Sequence, residues 1–174
     1  LIPMGPNLLN MSESMDWTET ESAKNKAFRI LDTLTTRLLY KSDVTNAWTS
    51  VEEVLELNHG VCQDFANVLI GLARIKGMPA RYVSGYVYQP GQIATRAWAQ
   101  VWFGPRIGWI DIDPTRNGFA TDDHITVAYG RDYSDVPPNR GIWAGEANET
   151  IDVVVEISPI ESLPSDNSMY MTRK

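Results

Sequence analysis

Sulfur and imidazole are scarce in this chain: 174 residues include one cysteine and two histidines. One cysteine excludes an internal disulfide. One cysteine with two histidines supplies too few ligands for a structural zinc site, so neither a metal nor a cofactor is expected. Positive charge is also in deficit, with 15 Lys and Arg against 22 Asp and Glu and a net charge of -7. No basic run offsets it, which argues against a nucleic-acid partner, because such binding depends on neutralising phosphates. No apolar run approaches the roughly 20 residues of a membrane span, so no membrane role is expected. No signal peptide is visible, which favours the cytoplasm, and a first residue of Leu1 points to residues upstream.

What remains is ordinary globular material, 43% hydrophobic and 21% charged, with six Trp and seven Tyr. The length suits one domain with a proper core. Residues 1–17 mix Pro, Gly, Asn and Ser and read as an irregular lead-in. Thr18-x-x-Glu21 resembles a capping box opening an amphipathic helix over 19–40, with Ala27, Ile30, Leu31, Leu34 and Leu38 at helical spacing. Ser50-x-x-Glu53 opens a short helix that Asn58-His59-Gly60 ends. A third helix starts at Cys62, carries Phe65, Leu69, Leu72 and Ala73 as its buried stripe, and stops at Gly77 before Pro79. Strands follow at 81–89, 97–103 and 109–113, with a hairpin over 104–108. Further strands are expected at 126–129 and 151–157, with a loop over 132–145 between them. The core domain runs over 18–160 and residues 161–174 form a frayed tail. Helices followed by antiparallel strands make an α+β fold, with the nucleophile helix packed on the sheet.

The lone thiol lies in Gly60-Val61-Cys62-Gln63-Asp64-Phe65-Ala66, at a helix start. Partial positive charge there would lower its pKa and make it a nucleophile. A free buried cysteine is the bland alternative. Such chemistry also needs a base and a group that orients the base. Asp113 ends a strand just before Pro114 and is a candidate orienter; turn formation is its plainer role. His59 reads most simply as a partner of its helix C-terminus, and His124, at a loop–strand junction, could in principle reach the site; either is a candidate replacement base, although nothing in the spacing orients them. The backbone N–H of Cys62 is the better oxyanion donor, with Gln63 and Trp98 assigned to the site wall. Trp48 reads as core packing with a possible contribution to the site.

Five motifs in order are similar to the transglutaminase-like superfamily, in its bacterial cysteine-protease branch. They are residues 60–66, 75–86, Ala97-Trp98-Ala99-Gln100-Val101-Trp102, Gly108-Trp109-Ile110-Asp111-Ile112-Asp113-Pro114-Thr115 and 123–138. The resemblance implies a papain-like fold and a Cys-His-Asp triad for acyl transfer on amides, with Cys62 as nucleophile and Asp113 as orienting carboxylate. It also implies a β-rich domain upstream, which this chain begins too late to contain. One position departs from the pattern: Arg96 stands where the family places histidine, directly before Ala97-Trp98. Arginine stays protonated and cannot accept the thiol proton. The resemblance therefore implies a cysteine hydrolase or acyltransferase on peptide or protein amides, impaired by Arg96. The alternative is an inactive domain that uses its cleft to bind a peptide or protein.

Overall fold

A computed structural model describes residues 2–18, 20–89, 92–137 and 154–157. The chain divides into a unit of residues 1–143 and a second of residues 144–174. In the second unit the described residues 154–157 form no strand, and the rest of the strand expected over 151–157 lies outside the described set, as do 138–145 and the tail.

The first unit is a helical layer on an antiparallel sheet. Helices α1 (Pro6–Glu13), α2 (Ala23–Arg37) and α3 (Val51–Leu57) surround α4 (Cys62–Ile75). A two-residue parallel pair, β1 (Leu39–Tyr40) with β2 (His59–Gly60), ties the α2 exit to the α4 entrance. The five remaining strands are β3 (Ala80–Gln89), β4 (Gln92–Trp102), β5 (Trp109–Asp113), β6 (Gly118–Phe119) and β7 (His124–Gly130). They lie in the order β6-β5-β4-β3-β7.

α4 forms because a run with apolar residues at helical spacing begins after extended Val61, whose N–H is accepted by the Asp64 carboxylate at 2.8 Å. It ends in a Schellman turn: Met78 N–H reaches the Ala73 carbonyl and Gly77 N–H the Arg74 carbonyl, with Gly77 at φ +77°. Phe65, Ala66, Val68, Leu69, Ile70, Leu72 and Ala73 are all buried, so α4 is enclosed on nearly every side. Ala97, Ala99 and Val101 of β4 and Ile112 of β5 join the same core from the sheet. By strand alternation Trp98 falls on the opposite face, where it is also fully buried.

Three expectations are corrected. Residues 6–13 are helical, with Leu8 and Met11 buried in the core. α1 has no side-chain cap of its own; Glu52 of α3 accepts the N–H groups of Asn7 and Leu8 at 2.8 and 3.1 Å. Thr18 does not cap α2. Ser22 does, accepting from Asn25 N–H at 3.2 Å, while Glu21 pairs with Arg29 at 2.9 Å. Strands β4 and β7 are longer than expected, because β3 holds both along its length, from Ala80 opposite Val101 to Gln89 opposite Gln92 and from Tyr82 opposite Gly130 to Val87 opposite His124. The capping box of Ser50 with Glu53 is formed in both directions, as read.

Gly85 sits opposite Arg96 at the slip in the β3–β7 register. A Cβ there would run into the Ile125 carbonyl oxygen and lie 2.6 Å from the Trp98 ring. Since backbone cannot yield like a flexible side chain, Gly85→Ala is expected to destabilise by about 1–3 kcal/mol or more. A urea midpoint equal to that of the parent would refute this.

Candidate active site

Backbone geometry brings Cys62 to the sheet. Gly60 in β2 allows the Asp64 side chain to fold back over it, since a Cβ at position 60 would meet Asp64 Oδ2 at 2.8 Å. The same oxygen accepts the Thr45 hydroxyl at 2.6 Å and so fixes the turn before the thiol. Cys62 then lines a cleft of about 620 Å³ with Gln63, Tyr82, Arg96, Ala97 and Tyr133 among its walls.

Arg96 enters from β4 and donates Nε–H to Asp113 Oδ2 at 2.9 Å. Asp113 is fully buried at the end of β5. Its other oxygen, Oδ1, accepts the Thr115 N–H at 2.9 Å and the Thr115 hydroxyl at 2.6 Å. Burial alone would raise its pKa. The Thr115, Arg96 and His124 donors together overcome that and hold it below the usual carboxylate value.

His124 is the residue that spacing did not single out. Its side chain is 3% exposed, and Nε2 lies 3.2 Å from Asp113 Oδ2. Nε2 is the ring nitrogen that faces the Asp113 carboxylate. Nδ1 lies 2.8 Å from Asp123 Oδ1 and 3.2 Å from the Thr121 N–H, and the Trp98 ring stacks edge-on at 5.1 Å. Arg116 pairs with Asp123 at 2.6 Å. The result is a chain of alternating groups: Arg96, Asp113, His124, Asp123, Arg116. The one available sequence signal was an aspartate directly before a histidine at a strand start. The link to Asp113 comes from β3, which pairs with β7 on one edge and β4 on the other.

The other expected residues fall as follows. Gln63 lines the cleft and donates its amide to the Ala47 carbonyl at 3.1 Å. Trp98, expected in the site wall, does not line the cleft; it is fully buried on the face of the sheet away from α4, and its indole N–H is donated to Asp111 at 2.7 Å. Trp48 is not in the core; it is 82% exposed, because Asn46 accepts its N–H in a tight turn outside the helical layer. His59 donates Nδ1–H to the Leu57 carbonyl at the end of α3.

The thiol itself corrects the expectation of a lowered pKa. Burial pushes Cys62 up, and the Ala97 N–H, the Arg96 charge and the Gln63 N–H only partly offset it, with Asp113 adding to the rise. Alkylation by iodoacetamide should therefore show an inflection above the ordinary cysteine value of about 8.5, and Arg96→Gln should move it higher. An inflection below that value would contradict this balance.

Comparison with known proteins adds the family. A model of the transglutaminase-like superfamily matches residues 10–114, more than half of the chain. The chain belongs to the transglutaminase-like superfamily. An uncharacterised protein of Mycobacterium tuberculosis is 42% identical over 139 residues, covering 72% of this chain and 44% of that protein. One of Mycobacterium leprae is 38% identical over 130 residues, covering 70% and 46%. The chain thus spans less than half the length of these curated relatives. The solved "Putative Cysteine Protease" from Cytophaga hutchinsonii is similar at 29% identity and a TM-score of 0.65, covering 75% of this chain and 44% of that one. The periplasmic domain of TgpA from Pseudomonas aeruginosa shares the fold, at 20% identity and a TM-score of 0.50, over 67% of this chain and 45% of that one. In this transglutaminase-like chain the helix carrying Cys62 and the antiparallel sheet form the expected α+β architecture. Among the described residues, no group of three or more His, Cys, Asp or Glu is arranged to hold a metal, and no helix is long and apolar enough to cross a membrane.

Proposed function

We propose that the cleft carries acyl transfer at Cys62 on peptide or isopeptide amides, through a thioester, with turnover held back by Arg96. The observation that supports this reading is the 2.9 Å pair between Arg96 and buried Asp113 beside the Cys62 cleft. A base and its orienter would occupy those places in a thiol relay.

The chemistry follows from which protons can move. The Cys62 thiol loses its proton to solvent, and the thiolate adds to the carbonyl carbon. Backbone N–H groups at the start of α4 face the developing oxyanion. The C–N bond then breaks, and the leaving nitrogen takes a proton from solvent, which balances the one the thiol released. Arg96 cannot release one at ordinary pH. Water or an amine finally attacks the thioester and restores the thiol. The slow step is the departure of the amine, so an activated ester, whose leaving group departs as a stable anion, bypasses it.

With 4-nitrophenyl acetate the protein should release one equivalent of nitrophenolate in a burst and carry an acetyl group on Cys62, found by peptide mass. A burst of equal size in Cys62→Ala would refute the thioester. The second reading, an inactive peptide-binding domain, draws on the same Arg96 pair and on the raised thiol pKa. It predicts peptide binding by Cys62→Ala and no acetyl group at Cys62 in the parent.

A further inference from the structure

Arg96 makes one hydrogen bond among the described residues, from Nε to Asp113. Its side chain is 18% exposed, and among the described residues Nη1 and Nη2 make no hydrogen bond and are not sealed from solvent. The same side chain lines the cleft with Cys62, and its positive charge acts on the sulfur. Among the described residues, the other charged group on the cleft wall is Asp135, which is already engaged. It accepts Arg131 N–H, Nε–H and Nη2–H at 2.7, 2.8 and 2.7 Å. Tyr82, Tyr86 and Tyr133 supply the rest of that wall with rings and hydroxyls. Among the described residues the cleft therefore offers one cation, Arg96, with both Nη groups unpaired, near its thiol, and the two nearby anions, Asp113 and Asp135, are each already engaged by an arginine.

We propose that Arg96 is a carboxylate anchor. It selects substrates whose amide lies next to a free carboxylate, as the last peptide bond of a chain does. A guanidinium fork matches a carboxylate geometrically, and Asp113 holds Nε so that the fork is presented rather than searched for. The substitution that removes a base from the site thus supplies it with a recognition element. This inference rests on Cys62 being the reacting group.

Paired alkylating reagents read it directly. In each, Sγ displaces iodide from carbon, forming C–S and breaking C–I. Iodoacetate carries a carboxylate beside the reacting carbon and iodoacetamide carries a neutral amide in its place. The ratio of their rates at Cys62 should exceed that of free cysteine by about tenfold or more, the worth of one charge-assisted hydrogen bond. Arg96→Gln should return the ratio to the free-cysteine value. Arg96→Lys, which keeps the charge and loses the fork, should fall between. N-acetylglycine should slow alkylation and N-acetylglycinamide should not. Equal ratios in the parent and Arg96→Gln, both reacting with iodoacetamide, would overturn the anchor while leaving Cys62 as a nucleophile. No reaction with either reagent in the folded protein, with reaction after unfolding, would overturn both readings.

Discussion

Arg96→His should raise amide turnover by about 10³-fold or more, the usual scale for restoring a missing member of a thiol or serine relay. Position 96 already reaches Asp113 Oδ2 from β4, so an imidazole there has its orienting carboxylate in place. Unlike a guanidinium, it can take the thiol proton and return it to the leaving amine. The variant should also gain a pH dependence that the parent lacks, with activity rising as the imidazole becomes neutral. A panel of peptide anilides compared between parent and variant measures the effect. If the parent already hydrolyses them as fast as Arg96→His, then Arg96 is no obstacle and the proposed slow step is wrong. Burst chemistry with the aryl ester should change far less, because that leaving group needs no proton.

Asp113→Ala should be the most damaging single change at the site. It removes a fully buried carboxylate that accepts four hydrogen bonds and leaves Arg96 and His124 facing a void. Breaking a buried pair by deleting one partner costs about 3–5 kcal/mol; Arg96 keeps some solvent, so about 2–4 kcal/mol is expected. A urea midpoint within error of the parent would refute it. The same carboxylate gives the fold an acid limb. Its folded pKa is held below its unfolded value, so its contribution is fully present above the unfolded value, about 3.9, and is lost as pH falls through the folded one. Between about pH 5 and pH 2, Asp113→Ala should therefore lose less stability than the parent.

Local rules read much of this chain well. Ser50 and Glu53 cap α3 because both groups lie within one turn. α4 starts at Cys62 and stops at Gly77 for reasons contained in the residues themselves. The boundaries that failed depend on partners far along the chain. α1 is capped by Glu52, 44 residues from Leu8, and no reading of 6–13 alone could supply that acceptor. Thr18 and Ser22 both offer a plausible cap, and the Arg29 partner of Glu21 leaves Ser22 to serve.

The site divides the same way. Motif order alone pointed to Cys62, Asp113 and Arg96; Cys62 and Asp113 sit at the ends of elements whose local signals are strong, and Arg96 directly precedes the Ala97-Trp98 pair that marks its strand. Sequence also established that the group at position 96 carries a charge no ordinary pH removes. Only the folded chain decided how those charges are shared. His124 meets Asp113 because β3 pairs with β7 on one edge and with β4 on the other, a juxtaposition with no periodicity to betray it. The thiol lies above its ordinary pKa although a helix start favours the thiolate. Desolvation is set by everything packed around the sulfur, and that quantity exists only once the sheet has closed over α4.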